Sequence, residues 1–458
     1  MGDILRYTVV EDIDKEYKFK ILVYPNITYL EDLEKDSFVV VLGDIIREIN
    51  KVRDDLHFTV LLPTFVNSLA FKNVEQLTIS SSTKNGKKAF LGYPNSMRMD
   101  FPFQQVYKAI NWKETDFDIV YSHLPEHTGN LKCLLENTTN ITPTIVGGYT
   151  HWTELKQITN YHYKPGLLYN ITGLLEMKRC GVNTQSQKNL IIDNAKEYFN
   201  HDVIKKLDKI LVPQYLGWQV PYYKEQKSKK KIIVFNHRPH TYKNYPWFIK
   251  QMDKLWEQRK DFEVWVPLAN KKNKEYMSVE KFDRFGYLSK LSSCRVGVCS
   301  TQKYAGWSVS ATDGMSVGVP YLFSDDDYYH ELADKAGIYY QGDKQFQAAI
   351  NNILDDDKLR EKYSKKSLDR FNECKWDKAI NQFNNLFDEA IEDLVVLKEE
   401  TESYLEIVKF IKKKKSVTKK EILDHMGWGV RIGFNGYRNR LRNEKTIRLT
   451  KNRYEVIK

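Results

Sequence analysis

Between Tyr304 and Pro320 the chain reads YAGWSVSATDGMSVGVP. An apolar run, VGVCS (Val296 to Ser300), precedes it, so the pattern predicts a buried strand, a turn of small residues around Gly306, Trp307 and Ser308, and then a helix. Such a turn leaves backbone N–H groups open at the helix start, where an anion such as phosphate is favoured. Asp313 lies further along that helix, and its two acceptor oxygens suit a pair of vicinal hydroxyls such as those of ribose. Phosphate followed by a sugar diol describes a nucleotide. The same residues have a plainer reading, with Gly306, Gly314 and Gly318 as helix-packing glycines and Asp313 as a surface acid.

A second stretch, VFNHRPHTYKNYPWF (Val234 to Phe248), favours the ligand. Arg238 and Lys243 follow the apolar run IIVFN and precede a helix beginning near Tyr245 and Pro246, which places two cations at the carboxyl edge of a sheet. Arginine supplies a bidentate fork and lysine a mobile point charge, a combination suited to a diphosphate.

Together these stretches resemble the GT-B glycosyltransferases, particularly the retaining group with a Glu-x7-Glu signature (GT4-like). In that family a strand followed by Arg and then Lys clamps the donor diphosphate, and a later E-G-(F/W)-(G/S)-x4-E-A-M-x-x-G-x-P segment holds donor sugar and ribose. Here Ala305 stands at the first acid and Asp313 at the second, while FSDDDYYHEL and Trp376 match the features that follow the motif. The resemblance covers roughly residues 232 to 394. It implies a nucleotide-sugar donor, with a UDP-sugar suspected, no further cofactor, and retention of configuration. Alanine at the first acid leaves the sugar's hydroxyl pattern and the stereochemical outcome open.

Elsewhere the sequence alternates apolar runs with helical patterns. FKILVYP, HFTVLLP, FDIVYSH, TPTIVGGY and KILVPQ read as strands before the polar run KEQKSKKK (Lys224 to Lys231), and IIVFN, FEVWVPL, VGVCS and PYLFS repeat the grammar after it. The expected fold is α/β, with two Rossmann-like domains and a small α+β winged-helix-like domain. The expected boundaries are 1–223 for an acceptor-side domain, 224–398 for the nucleotide-sugar domain and 399–458 for a basic domain. Doubly wound halves bind ligands at the carboxyl ends of their strands.

On the acceptor side, the loop Asn26 to Ser37 carries several acids, among them Asp36, and His123 and His151 sit at strand ends. Each is a candidate to accept a proton from, or bond to, an incoming hydroxyl, and each is also readable as structural. Asp325, Asp326 and Asp327 are consecutive, so their carboxylates diverge and make a poor metal cage, and metal independence is expected. Five cysteines with no CxxC spacing read as small buried hydrophobes, without a disulfide framework. The N-terminus lacks the layout of a secretion signal, and a cytoplasmic protein is expected.

The net charge of +11 is unevenly placed. Thr401 to Lys458 holds 16 Lys and Arg against 6 acids, a local net of +10. YLEIVKFIKKKK, SVTKKEILDHMGW and FNGYRNRLRNEK read as three short helices and TIRLTKNRYEVIK as a hairpin, an order that resembles a winged helix. Arg438, Arg440 and Arg442 on the third helix, with Arg448, Lys451 and Arg453 on the hairpin, are the candidate nucleic-acid contacts. The combined expectation is a transferase acting on DNA that carries a hydroxymethylated pyrimidine, resembling the DNA-modifying transferases of bacteriophages. Alternatives are a transferase for cell-surface polysaccharide or glycolipid, and a DNA-binding protein with a degenerate transferase domain.

Overall fold

A computed structural model describes residues 6–8, 18–25, 37–62, 74–78, 101, 103–112, 115–123, 125–139, 142–149, 164–220, 222–302, 306–426, 447–450 and 453–456. The chain divides into two compact units, Met1–Asp388 and Glu389–Lys458.

The first unit holds two sheets. Strands β1 (Arg6–Thr8), β2 (Phe19–Tyr24), β3 (Leu56–Leu62), β4 (Glu75–Thr78), β5 (Ile119–Ser122), β6 (Thr144–Tyr149), β7 (Arg179–Val182) and β8 (Leu211–Pro213) form one. Strands β9 (Lys231–Val234), β10 (Phe262–Trp265), β11 (Met277–Ser278), β12 (Val296–Cys299), β13 (Tyr321–Ser324) and β14 (Gly337–Tyr340) form the other. The first runs β1-β4-β3-β2-β5-β6-β7-β8, parallel except for β1 on the edge; the second runs β11-β10-β9-β12-β13-β14 and is parallel throughout. The expected pair of Rossmann-like sheets is therefore present.

The strands that read as apolar runs do so because helices cover both faces. Ile21, Leu22 and Val23 are consecutive and all fully buried, which an open-faced strand would not allow. Each such side chain contributes up to roughly 1.5–3 kcal/mol of burial. Over the second sheet, the helix Tyr245–Gln258 buries Phe248, Met252 and Leu255 at helical spacing, with proline in its first turn where no N–H partner is lost. The helix Gly342–Asp355 packs beside it through Phe346, Ile350 and Ile353. On the opposite face Ala311, Met315 and Leu332 complete the core.

In the polar run from Lys224 the Lys224 and Gln226 N–H groups donate to the Ser289 and Ser292 hydroxyls. One reading changes. Of the cysteines, Cys133 is exposed and Cys374 half-buried, while Cys180, Cys294 and Cys299 are buried as expected.

The helix Trp376–Lys414 returns the chain to the first sheet. Trp376 occupies the space that Gly217 leaves by having no Cβ, and Phe387 packs edge-on against Phe58 at 5.8 Å between centroids and beside Tyr121 at 6.1 Å.

In the second unit, Tyr404, Ile407 and Ile411 form one face of that same helix and share a core with Val417, Ile422, Leu423 and Tyr454. The segment read as a separate first helix is thus the end of a 39-residue one. Lys415 adopts φ 63°, a left-handed conformation that stops the helix. Ser416–Thr418, expected as helix, is instead β15, because Val417 pairs with Tyr454 of β17 (Arg453–Val456), which also pairs with β16 (Ile447–Thr450). The helix Lys419–His425 follows, closed by a Thr418–Glu421 capping box worth about 1 kcal/mol. Arg448 and Arg453 fall on the two hairpin strands. Arg438, Arg440, Arg442 and Lys451 lie outside the described residues.

Candidate functional site

The second sheet has the strand order 3-2-1-4-5-6 of dinucleotide-binding folds, with its reversal between β9 and β12. Both sequence-selected stretches emerge there, side by side. After β9 come Asn236, His237, Arg238 and Lys243; after β12 come Ser300, Gln302, Gly306, Trp307 and Ser308.

Asn236 ties the two loops. Its Nδ2 donates to the Ser310 carbonyl (2.7 Å) and the Tyr287 hydroxyl (2.9 Å), its Oδ1 accepts from Tyr321 (3.1 Å), and its carbonyl accepts from the Ser310 hydroxyl (2.8 Å). The Tyr321 ring lies where Gly297 and Gly314 would carry a Cβ, which explains glycine at Gly314. His237 is buried with Nε2 3.1 Å from the Cys299 sulfur. Burial and then the Lys243 charge push its pKa down to about 3, and burial pushes the Cys299 thiol up to about 12, so both stay neutral.

Arg238 is exposed at the rim. Lys243 is half-buried and donates to Gln302, which in turn donates to the Tyr329 hydroxyl at 2.7 Å; the Ser300 hydroxyl donates to the Lys243 carbonyl at 2.9 Å. The lysine is therefore held on a fixed frame.

Ser308 caps the helix Val309–Ser316, its hydroxyl accepting from the Ala311 N–H at 3.2 Å. Gly306 and Trp307 lie at the seam between the two halves, where Gln187 fills the space beside Gly306 and Tyr215 stands 6.2 Å from the Trp307 ring. The packing role weighed for Gly306 is thus met, by a residue of the other half.

Asp313 is buried but not solitary. Its two oxygens accept from both terminal nitrogens of Arg284, at 2.6 and 2.7 Å, a fork pairing absent from the sequence reading. Burial disfavours the Arg284 charge, and Asp313 more than offsets it. Each carboxylate oxygen keeps a second lone pair for another donor.

A carboxylate also joins the halves. Glu331 accepts from the Gln185 N–H (2.6 Å), the Ser186 N–H (2.7 Å) and the Tyr215 hydroxyl (3.1 Å), so it caps the N-terminus of the helix Gln185–Ala195 from across the seam.

In the first sheet the reversal lies between β2 and β5. His123 follows β5 and is fully buried, with Nδ1 3.4 Å from the Tyr121 hydroxyl. The sequence did not single out its neighbours: Tyr24 shares a 2.7 Å hydrogen bond with His127 Nδ1, and Glu126 is also buried. Burial, then the Glu126 charge, raises the Tyr24 pKa. Gly147 and Gly148 make room for Met177 and for Tyr121 with His123. Asp36 and His151 lie outside the described residues.

Asp325 bonds His330 (2.6 Å) and Gln341, Asp326 accepts from the Ser324 hydroxyl (2.5 Å), and Asp327 opens the helix Asp327–Ala333. Among the described residues no group of three or more His, Cys, Asp or Glu is placed to hold a metal, and no helix is long and apolar enough to cross a membrane.

No protein-family model and no curated protein matches the chain. Among solved structures it is similar to sucrose-phosphate synthase from Thermosynechococcus elongatus, with TM-score 0.63 and 10% identity over 82% of this chain and 100% of that one. TarM gives TM-score 0.60 and 10% identity over 82% and 100%. Anabaena HepE in complex with UDP-glucose gives 0.57 and 11% over 81% and 100%. These similarities are of fold, and they span both sheets.

Proposed function

We propose that this chain is a glycosyltransferase that moves a sugar from a UDP-sugar to a hydroxyl group, without a metal ion, and that its acceptor is a hydroxymethylated pyrimidine in DNA. The observation that carries the reading is the joining, by Asn236, of the Arg238–Lys243 loop to the Ser308-capped helix at the strand reversal. HepE, whose structure holds UDP-glucose, shares the two-sheet fold and supports the choice of donor.

In this reaction the bond from the sugar's anomeric carbon to the diphosphate breaks, a bond to the acceptor oxygen forms, and the acceptor loses its proton. Arg238, Lys243 and the backbone N–H groups at Gly306 to Ser308 take up the negative charge left on the diphosphate. Asp313, fixed by Arg284, offers its remaining lone pairs to ribose. Trp307 and Gly306 stand where the donor sugar meets the first half. His123 bonds the sugar or the acceptor hydroxyl, with Asp36 and His151 the other candidates to receive the proton. A base inside a duplex reaches such a cleft by flipping out.

The basic residues after Thr401, including Arg438, Arg440, Arg442, Arg448, Lys451 and Arg453, bring the DNA by their attraction to phosphates. The order helix, strand, helix, hairpin in that unit supports a winged-helix reading.

The test is incubation with hydroxymethylated DNA and a panel of radiolabelled sugar nucleotides. Label in the DNA supports the reading. Label only in lipid or glycan supplied alongside moves the acceptor elsewhere, and DNA binding without turnover removes the enzyme.

A further inference from the structure

A cavity of about 310 Å³ opens at the carboxyl edge of β12, β13 and β14, and of its lining only Ser300, which holds the Lys243 backbone, has a part in the clamp described above. Its volume is near the lower end of small-molecule sites, which run from roughly 300 to 1,000 Å³. Ser300 and Thr301 follow β12, Ser324 to Asp326 follow β13, and Tyr340 to Gly342 follow β14, while Asn244 and Trp247 close it from the start of the helix Tyr245–Gln258.

We propose that this cavity is a binding site for one neutral, hydroxyl-rich unit such as a free hexose or cyclitol, separate from the diphosphate clamp. The lining decides the chemistry. It contains no Lys or Arg and two carboxylates, so phosphates and other anions are repelled. The Thr301 hydroxyl and the amides of Asn244 and Gln341 offer donors and acceptors together, and the Ser300 and Ser324 hydroxyls, already donating to the Lys243 carbonyl and to Asp326, still accept, as an array of sugar hydroxyls needs.

The aromatic side is rigid. Trp247 stacks on Tyr340 with 5.7 Å between centroids and 4° between planes, and its Nε1 donates to Asp343 at 2.9 Å. An aromatic wall facing polar groups suits the apolar C–H face of a pyranose. The polar side is set in advance, with Ser324 holding Asp326 (2.5 Å) and His330 holding Asp325 (2.6 Å). Gly342, at φ 69°, has open space where a Cβ would be, which leaves the backbone at the lip approachable.

The site borders the clamp without sharing Arg238 or Lys243, so the two ligands are separable. Calorimetric titration with glucose, galactose, N-acetylglucosamine and myo-inositol, each without UDP and again with saturating UDP, tests the proposal. At least one should bind saturably, and Asp326→Asn should weaken that binding tenfold or more with UDP affinity unchanged. Thr301→Val serves as a second variant, each checked for an unchanged unfolding midpoint. Absence of saturable binding by all four, abolition of binding by UDP, or full affinity in both folded variants would overturn it. Hexose binding by a protein that fails to bind UDP would uphold this site while removing the donor reading.

Discussion

The two sheets present opposite chemistry at equivalent places. At the reversal of the second sheet the cations are Arg238 and Lys243, beside the Arg284–Asp313 ion pair and a neutral floor of Asn236, His237 and Cys299. At the reversal of the first, tyrosine and imidazole are buried and bonded in the pairs Tyr24–His127 and Tyr121–His123, with the buried carboxylate of Glu126 acting on Tyr24. The proposed transfer, from a charged diphosphate donor to a hydroxyl group, assigns the diphosphate to the first of these edges and the hydroxyl to the second.

The largest expected effect comes from removing the charge on the donor side. The double variant Arg238→Ala, Lys243→Ala should lose roughly 10³-fold in UDP affinity by calorimetry, at about 1.5–3 kcal/mol for each charged hydrogen-bonding group. The same measurement on His123→Asn should show little change, and equal losses would erase the contrast between the edges.

Arg284→Ala should cost about 2–3 kcal/mol in urea unfolding, because it leaves the Asp313 carboxylate buried beside no cation. Half-exposure of Arg284 places the cost below that of a fully buried pair.

The neutral floor sets a pH dependence. His237 titrates near 3 when folded and near 6.5 when free, so the unfolded chain binds the extra proton between those values. Its contribution is complete above about pH 6.5 and is lost as pH falls toward 3, with a slope approaching 1.4 kcal/mol per pH unit. His237→Asn should flatten that slope in chemical unfolding followed against pH.

The smallest effect belongs to the seam. Glu331→Gln should cost about 1 kcal/mol, since an amide oxygen still accepts but without the charge that favours a helix N-terminus. Glu331→Ala should cost more, read from the same unfolding curves.

Much of the fold was legible because parallel strands buried on both faces appear as unbroken apolar runs, as in β2, β3, β9 and β12. Strand β7 (RCGV) is too short and too mixed to stand out, and the two residues of β11 carry no pattern of their own. β15 was hidden behind a lysine run, its identity fixed by pairing with β17, where Val417 meets Tyr454, 37 positions further on.

The site divided in the same way. Arg238 and Lys243 could be found because they directly follow an apolar run. Asn236 and His237 stand in the same stretch, between strand and cation, and that position was the signal available for them. Arg284, Gln302 and Glu331 had none, since each acts through residues distant in sequence: Asp313, Lys243, and Gln185 with Ser186.

The most direct test is a crystal structure with UDP bound. The account predicts diphosphate oxygens within about 3 Å of Lys243 Nζ and of backbone N–H groups at Gly306 to Ser308, with Arg238 turned onto the same group. UDP held elsewhere, with the crevice between β9 and β12 left to solvent, would contradict it.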